Sequence, residues 1–182
     1  MKSRLLHLIP VLFSLSCGAS AQSITPAVQA RIDAQLKEIA AWAVDPVVVD
    51  AVRAQNAKPA AEVAALNQDK WRALTVLDPT VRGFTKNPAA GVLKAKKTEV
   101  VTEAFVSSAN GCKVAFLAKT SNWTHQGKDK HEVPMQGKPW QGPVEVDESS
   151  GQQQLQIAVP VLDGGKPIGS LVVGLSLSKL AP

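Results

Sequence analysis

A long β-hairpin near the carboxyl terminus limits the folds open to this chain. From Leu155 to Val161, apolar residues occupy every second position, which is typical of a strand with one buried face. Asp163-Gly164-Gly165 then supplies residues that tolerate the positive φ of a tight turn. A second alternating run extends from Leu171 to Leu177. We therefore predict a hairpin over residues 153–177.

The first half of the chain has helical periodicity. Apolar residues recur every three or four positions from Ile24 to Ala43, and Thr25-Pro26 has the form of a helix start, so we predict a long helix over residues 26–44. An Asp or Asn precedes proline at three later sites, and each such pair predicts the start of a short helix: Asp45-Pro46, Asp78-Pro79 and Asn87-Pro88. Residues 59–74 are expected to be mostly helical, with a break near Asn67.

Further strands are predicted between these helices and the hairpin. Residues 99–107 and 112–119 are rich in β-branched and aromatic side chains, and an Asn-Gly turn joins them. Residues 143–147 are expected to form a short strand. Five strands joined mainly by tight turns favour an antiparallel sheet, and helices followed by strands indicate an α+β domain. The exception is a long connection without predicted helix or strand over residues 120–142, which we expect to be functional.

The amino terminus has the features of a secretory signal peptide. Lys2 and Arg4 precede an apolar run, and Ala19-Ser20-Ala21 is typical of a signal peptidase site, so we expect cleavage after Ala21. Residues 1–21 are thus a predicted signal peptide and residues 22–182 a single domain, which is periplasmic or secreted. Lipidation at Cys17 is an alternative, but Ser14 stands where an aliphatic residue is usual.

Composition excludes some classes of function. Without Lys2 and Arg4 the chain has 18 basic and 15 acidic residues, a net charge of +3 that indicates no nucleic-acid partner. The densest basic cluster, around Lys96, is interpreted as a solvated helix end. After cleavage Cys112 is the one remaining cysteine, so an intramolecular disulfide is not expected.

Several segments together resemble a known family of sensor domains. They read, in order, FVSSANGCKVAFLAKTSNW, GPVEVDESSG and LQIAVPVLDGGKPIGSLVVGLSL, and DPVVVDAVRAQN and LNQDKWRAL precede them. Their order is similar to that of Cache, or PDC, sensor domains over about residues 23–180. The resemblance departs from the family at Ser108 and Asn122, where aspartate is frequent. The resemblance is to a free-standing form of the domain, without the membrane helix and output module that are usual in the family.

The resemblance implies both a fold and a binding site. The expected fold is a PAS-like five-stranded antiparallel sheet, with the first strand beside the last, a long N-terminal helix along it and several short helices. The ligand is expected between the sheet and residues 120–142. The resulting candidate ligand-binding residues are Phe105, Phe116, Trp123, His125, Gln126, Trp140 and Asp147. A small organic ligand is expected, whether an amine, an amino acid or a carboxylate, and a membrane sensor is a possible partner.

Other functions receive less support from the residues. His125 and His131 with Asp129 or Glu132 match no metal motif, and no nucleophile elbow or cysteine–histidine signature is present, so we expect no metal, no cofactor and no catalytic residues. The alternative to a sensor is a non-catalytic interaction protein with a vestigial pocket, in which the helix over residues 26–44 forms a homodimer.

Overall fold

The computed structural model describes residues 24–146 and 151–180, so the predicted signal peptide and Cys17 lie outside the described residues. The described helices are α1 (Pro26–Ala43), α2 (Pro46–Ala57), α3 (Ala61–Ala64), α4 (Gln68–Ala73), α5 (Pro79–Lys86), α6 (Pro88–Lys96), α7 (Asp129–Met135) and α8 (Leu177–Leu180). The described strands are β1 (Val101–Ser108), β2 (Lys113–Phe116), β3 (Trp140–Gln141), β4 (Glu145–Val146), β5 (Gln153–Asp163) and β6 (Lys166–Ser176). Of the described helices, none combines the length and apolar character that a membrane crossing requires.

The helices begin where the proline pairs predict. Thr25, Asp45, Asp78 and Asn87 each accept a hydrogen bond from a backbone N–H in the first turn of the helix that follows, with proline in that turn. Asn67 caps α4 in the same way without a proline. This cap lies at the predicted break, which therefore separates α3 from α4.

The strands form one antiparallel sheet with the order β2-β1-β6-β5-β3, and β4 also pairs with β5. The predicted hairpin is present as β5 and β6, which stay in register from Gln154↔Ser176 to Asp163↔Lys166 with one irregularity after Val161. Strand β1 pairs with β6, so the first strand lies beside the last. The fold is α+β, as the sequence predicts.

The two faces of the sheet have different covers. One face packs against α1, α2 and α6 in a large apolar core that includes Ile39, Val52 and Leu93. The opposite face, which we call the covered face, lies under residues 66–84 and 120–142 and carries a second, aromatic cluster. The candidate site lies on this second face.

Residues 120–142 are more ordered than the predicted open connection. They contain α7 and β3, and the latter pairs with β5 through Trp140↔Ala158 and Gln141↔Ile157. The prediction of an unstructured connection was therefore wrong. Proline disfavours helix interiors, so Pro134 within α7 argues against a helix when only the sequence is considered. Strand β3 is too short to show an alternating pattern.

Candidate functional site

Cross-strand pairing arranges the covered face in three rows. Residues opposite each other in an antiparallel pair share a face, so the register defines each row. The first row is polar and contains Lys113, Ser107 and Ser170. The second is mostly apolar and contains Phe116, Phe105, Val172, Ala158 and Trp140. The third contains Glu103, Gly174 and Gln156. We call the space above these rows the hollow.

An irregularity in the β1–β2 pairing brings Lys113 to the hollow. Val106 pairs with Ala115, but Ser107 pairs with Lys113, so Val114 is an extra residue on β2. Without it, Lys113 would share the face of Ala115, which belongs to the large core on the other side. The bulge therefore turns a cationic side chain toward the aromatic row.

Aromatic rings from the helical half close one end of the hollow. The ring of Trp71 lies 5.2 Å from that of Trp123 and 5.9 Å from that of Phe116, measured between centroids. Phe84 lies 5.5 Å from Trp123. The indole Nε1 of Trp71 donates to the carbonyl of Thr120 at 2.7 Å, which fixes the start of the covering segment.

His125 lies inside the hollow, between the covering segment and the sheet. Its ring stacks on Phe105 at a centroid distance of 4.8 Å and an interplanar angle of 15°. Its Nδ1 contacts the Nζ of Lys113, which also lies 4.2 Å above the Phe105 ring. The His125 backbone N–H donates to the Gly111 carbonyl at 3.0 Å, so the β1–β2 turn holds this histidine in place.

His131 is fixed by a hydrogen bond at each ring nitrogen. Nε2 lies 3.2 Å from the Ala109 carbonyl and Nδ1 lies 2.8 Å from the Ser170 hydroxyl. A carbonyl only accepts, so Nε2 carries the proton and Nδ1 accepts from Ser170. Burial lowers the pKa of His131, which agrees with this neutral form.

The titratable groups at the hollow are mostly basic, and their surroundings lower their pKa values. Burial, and secondarily the charge of Lys130, lowers the pKa of Lys113 to about 7. Burial and the charge of Lys113 lower the pKa of His125 to about 3, so this imidazole is neutral at neutral pH. Burial also lowers the pKa of Lys130, whose Nζ donates to Gln156. Gln156 in turn donates to Glu103.

In the first row, one buried polar group has no hydrogen-bond partner and another has no partner of opposite charge. Lys113 is wholly buried, yet no described carboxylate lies within 4.0 Å of its ammonium, since the described ion pairs join Arg53 or Arg72 to surface aspartates. The Ser107 hydroxyl is also wholly buried and makes no hydrogen bond in the described part of the chain. Such groups are rare because their desolvation is unfavourable.

The structure places the predicted site residues unequally. Phe105, Phe116, Trp123 and His125 come together at the hollow, and Trp140 is half-buried at the end of the apolar row. Gln126 is exposed. Asp147 lies outside the described residues.

Sequence reasoning missed most of the polar residues of the hollow. It did not predict Lys113, Ser107, Ser170, Glu103 and Gln156 of the sheet, nor Lys130 of α7. The one signal is Lys113 within the apolar run of β2, a position where a charged side chain is unusual.

The chain's own side chains fill the hollow in this conformation. Trp123 is 3% exposed, His125 6% and His131 1%. Among the described residues, no group of three or more His, Cys, Asp or Glu side chains is placed to hold a metal ion. The arrangement is therefore a closed, polar and aromatic interior with surplus hydrogen-bonding capacity.

Comparison with known proteins identifies similar solved structures. No protein-family model matches the chain, and no curated protein sequence matches it. The sensor domain of the V. cholerae histidine kinase DctB is similar at 19% identity and a TM-score of 0.45, over 84% of this chain and 53% of that one. The E. coli DcuS sensor domain is similar at 14% identity and a TM-score of 0.48, over 85% of this chain and 94% of that one.

A chemoreceptor domain is also similar. The ligand-binding domain of the P. aeruginosa PAO1 amino acid chemoreceptor PctC, in complex with GABA, matches at 15% identity and a TM-score of 0.40, over 82% of this chain and 62% of that one. This chain thus spans about half of the DctB structure and less than two thirds of the PctC structure. The fold assignment itself rests on the sheet order and helices described above.

Proposed function

We propose that the chain is an exported sensor module that binds a small organic metabolite in the hollow between the covered face and residues 120–142. The residues proposed to contact the ligand are those of the sequence prediction, Phe105, Phe116, Trp123, His125, Gln126, Trp140 and Asp147, together with Ser107 and Lys113. The bound form would be read by a partner protein, for which a membrane sensor is the candidate.

The observation that carries this proposal is the polar row beneath the aromatic cover. A core that served stability alone would place apolar side chains at Ser107 and Lys113. Burying a hydroxyl without a partner is unfavourable, and so is burying an ammonium that has only a neutral imidazole and an aromatic ring beside it. A ligand with hydrogen-bond acceptors would satisfy both groups. The unfavourable burial is then understood as part of a binding site.

The charges of the hollow favour a carboxylate over an amine. Lys113 and Lys130 face the hollow, and the nearby carboxylates are engaged or exposed: Glu103 is bonded to Gln156, Glu132 accepts from the Gly127 N–H, and Glu145 is exposed. A carboxylate would compensate Lys113, while an ammonium would be repelled by both lysines. Amino acids remain suitable because they carry a carboxylate.

Binding in the closed hollow requires a movement of the covering segment. His125 occupies the position on Lys113 that a carboxylate oxygen would take. Displacing His125 would release the ring from Phe105 and change the surface around residues 120–128. This change is the signal that we propose a partner reads.

A thermal-shift screen tests the proposal. Monocarboxylates, dicarboxylates and amino acids are compared with amines of matched carbon skeleton at pH 6.5, where Lys113 is mostly protonated. We expect a carboxylate to raise the Tm, and a ligand at 100 times its Kd adds about 2.7 kcal/mol of stability.

Two hollow variants and one control make the result specific. Lys113→Met and Ser107→Ala should each lose the Tm response, while Lys119→Met should keep it, since Lys119 lies over the Trp71 ring outside the polar row. Responses to amines alone, or a carboxylate response unchanged in both hollow variants, would refute the proposed site.

A second candidate is an interaction protein with a vestigial pocket, which dimerises through α1. The filled hollow favours this reading, because a closed interior needs no ligand to be stable. Sedimentation over a hundredfold range of concentration tests it. A concentration-dependent dimer together with no Tm response to any compound would favour this candidate over the sensor.

A further inference from the structure

A surface groove with two lobes lies beside the hollow. Neither lobe is part of the hollow. The smaller lobe has a volume of about 340 Å³ and the larger about 480 Å³. Both are lined by Gln55, Pro59 and Val63, so they are parts of one groove, which we call the side groove. These volumes are within the range of small-molecule pockets.

The side groove separates the α2–α3 region from the turn between β1 and β2. The smaller lobe has Gln55, Asn56 and Leu66 on its helical side. Ser108, Asn110 and Cys112 form its other side, and Trp123 completes the lining. Of the residues proposed to contact a ligand in the hollow, Trp123 is the one that also lines this lobe. The side groove is therefore a different site that shares one wall with the hollow.

Hydrogen bonds hold the polar walls of the smaller lobe in place. Asn56 donates to the Ile168 carbonyl at 2.7 Å and accepts from the Ala109 N–H at 2.9 Å. Gln55 donates to the Lys113 carbonyl at 3.1 Å. These bonds tie the end of α2 to the sheet, so the lobe is a preformed cavity between fixed elements.

The smaller lobe has no charged side chain among the described residues that line it. A charged ligand would lose hydration there without gaining an ion pair, which is unfavourable. Pro59, Val63 and Leu66 form apolar walls together with the edge of the largely buried Trp123. Asn110 is exposed and offers an uncharged amide, whose Oδ1 accepts from the Ser108 hydroxyl at 2.6 Å. Aromatic rings pack well against apolar and aromatic side chains of this kind.

We propose that the side groove is a second binding site, for a neutral small molecule with an aromatic ring. The ring lies against Val63, Leu66 and the edge of Trp123, and its polar substituents meet the exposed amide of Asn110. The larger lobe is lined by the exposed side chains of Lys58 and Glu62, so it can accept substituents of either charge. Because Trp123 also covers the hollow, a ligand in the side groove contacts the cover of the first site.

Disulfide tethering at Cys112 tests this proposal without knowledge of the natural ligand. Cys112 is half-buried in the wall of the smaller lobe. The full chain with Cys17→Ser is equilibrated with disulfides of 2-phenylethanethiol, cysteamine or 3-mercaptopropionate under increasing 2-mercaptoethanol. The first of these thiols is neutral and aromatic, the second is cationic and the third is anionic. Burial raises the pKa of Cys112, so all three exchanges are run at pH 8.5.

We expect the 2-phenylethanethiol adduct to resist at least tenfold more 2-mercaptoethanol than either charged adduct. Equal resistance of the three adducts, a preference for a charged one, or an unreactive Cys112 in the folded chain would overturn the proposal.

Two variants separate the side groove from general surface effects. A cysteine introduced by Ala41→Cys, in a chain with Cys112→Ser, lies on an exposed face of α1 and should show no preference among the thiols. Leu66→Asp should abolish the preference at Cys112 while the circular dichroism spectrum is unchanged. An unchanged preference in Leu66→Asp would place the adduct elsewhere. Lys113→Met, which tests the hollow, leaves every lining residue of the smaller lobe intact, so the two sites succeed or fail independently.

Discussion

Lys113 couples the protonation of the hollow to the stability of the whole chain. Its pKa is about 7 in the folded chain and ordinarily 10.5. Between these values the unfolded chain binds more protons at Lys113 than the folded chain, so the free energy of unfolding rises with pH. Below pH 7 both states are protonated at this group, and the effect of pH through Lys113 disappears.

Urea unfolding from pH 6 to pH 9 measures this contribution. We expect the free energy of unfolding of the wild type to rise between pH 7 and pH 9 relative to that of Lys113→Met, by up to about 1.4 kcal/mol per pH unit. Lys119→Met should retain the wild-type rise. Parallel curves for the wild type and Lys113→Met would show that Lys113 titrates normally in the folded chain.

Gly169 permits a close approach of two strands next to Ser107. A Cβ at this position would lie 2.2 Å from the Ser107 carbonyl oxygen and 2.9 Å from Cγ1 of Val52. Relieving this overlap requires a shift of the strand backbone, which introduces strain. Gly169→Ala should therefore lower the free energy of unfolding by about 1–3 kcal/mol.

Gly83 is the matched control, since an added Cβ there meets nothing within 4 Å and the residue lies in α5. Gly83→Ala should raise the stability by about 0.5–1 kcal/mol through helix propensity. Denaturant unfolding of both variants checks the pair. If Gly169→Ala were as stable as the wild type, the strands would have to be farther apart than described.

At the scale of single residues, the sequence predicted the aromatic part of the hollow better than the polar part. Phe105, Trp123 and His125, which the resemblance gave as candidate ligand-binding residues, lie together. Lys113 could not be assigned, because simple alternation places it on the face of Ala115 and only the bulge at Val114 turns it to the other side. Bulges depend on pairing with a distant strand, which one sequence does not reveal.

Among the elements, α6 begins at a cap residue that also bonds to a strand. Asn87 accepts from the Ala90 N–H at 2.9 Å as the cap, and its amide also donates to the Val114 carbonyl at 2.8 Å. It therefore connects a helix to the bulged residue of β2. Asp45 caps α2 through the Val47 N–H at 3.0 Å, and its recorded side-chain bond extends no further than that helix.

Substitution of the two caps should therefore have unequal effects. We expect Asn87→Ala to lower the free energy of unfolding by about 2–3 kcal/mol, since it removes a cap and leaves a carbonyl unsatisfied, and Asp45→Ala by about 1 kcal/mol. Chemical denaturation gives both values. Equal losses would mean that the bond to Val114 adds nothing to stability.

Elements with a sustained pattern or a marked helix cap were predictable, whereas α7 and β3 were not. The stripe of α1 and the alternation of β5 and β6 persist over 18 and 11 residues respectively, so local pattern and tertiary packing agree. Helix α7 has seven residues with a proline among them, and β3 has two. Their structure depends on contacts with β5 and β6, and these contacts have no local signal.

For the molecule as a whole, the sheet and its covering segment should differ in local stability. Strands β5 and β6 pair along nearly their full lengths at the centre of the fold. Residues 120–128 have fewer backbone hydrogen bonds, among them those of the His125 and Lys128 N–H groups at 3.0 Å each, and side chains such as Gln68 supply part of the rest. Segments held in this way open locally without global unfolding.

Hydrogen exchange followed by mass spectrometry tests this difference and its role in binding. We expect peptides covering 120–128 to exchange at least a hundredfold faster than those covering β5 and β6, because entry to the hollow requires only that His125 leave Lys113. A carboxylate that raises the Tm should then slow or speed exchange in 120–128 while leaving α1 unchanged. If 120–128 exchanged as slowly as the central strands, the hollow would open only by global unfolding. Ligand entry through the covering segment would then be excluded.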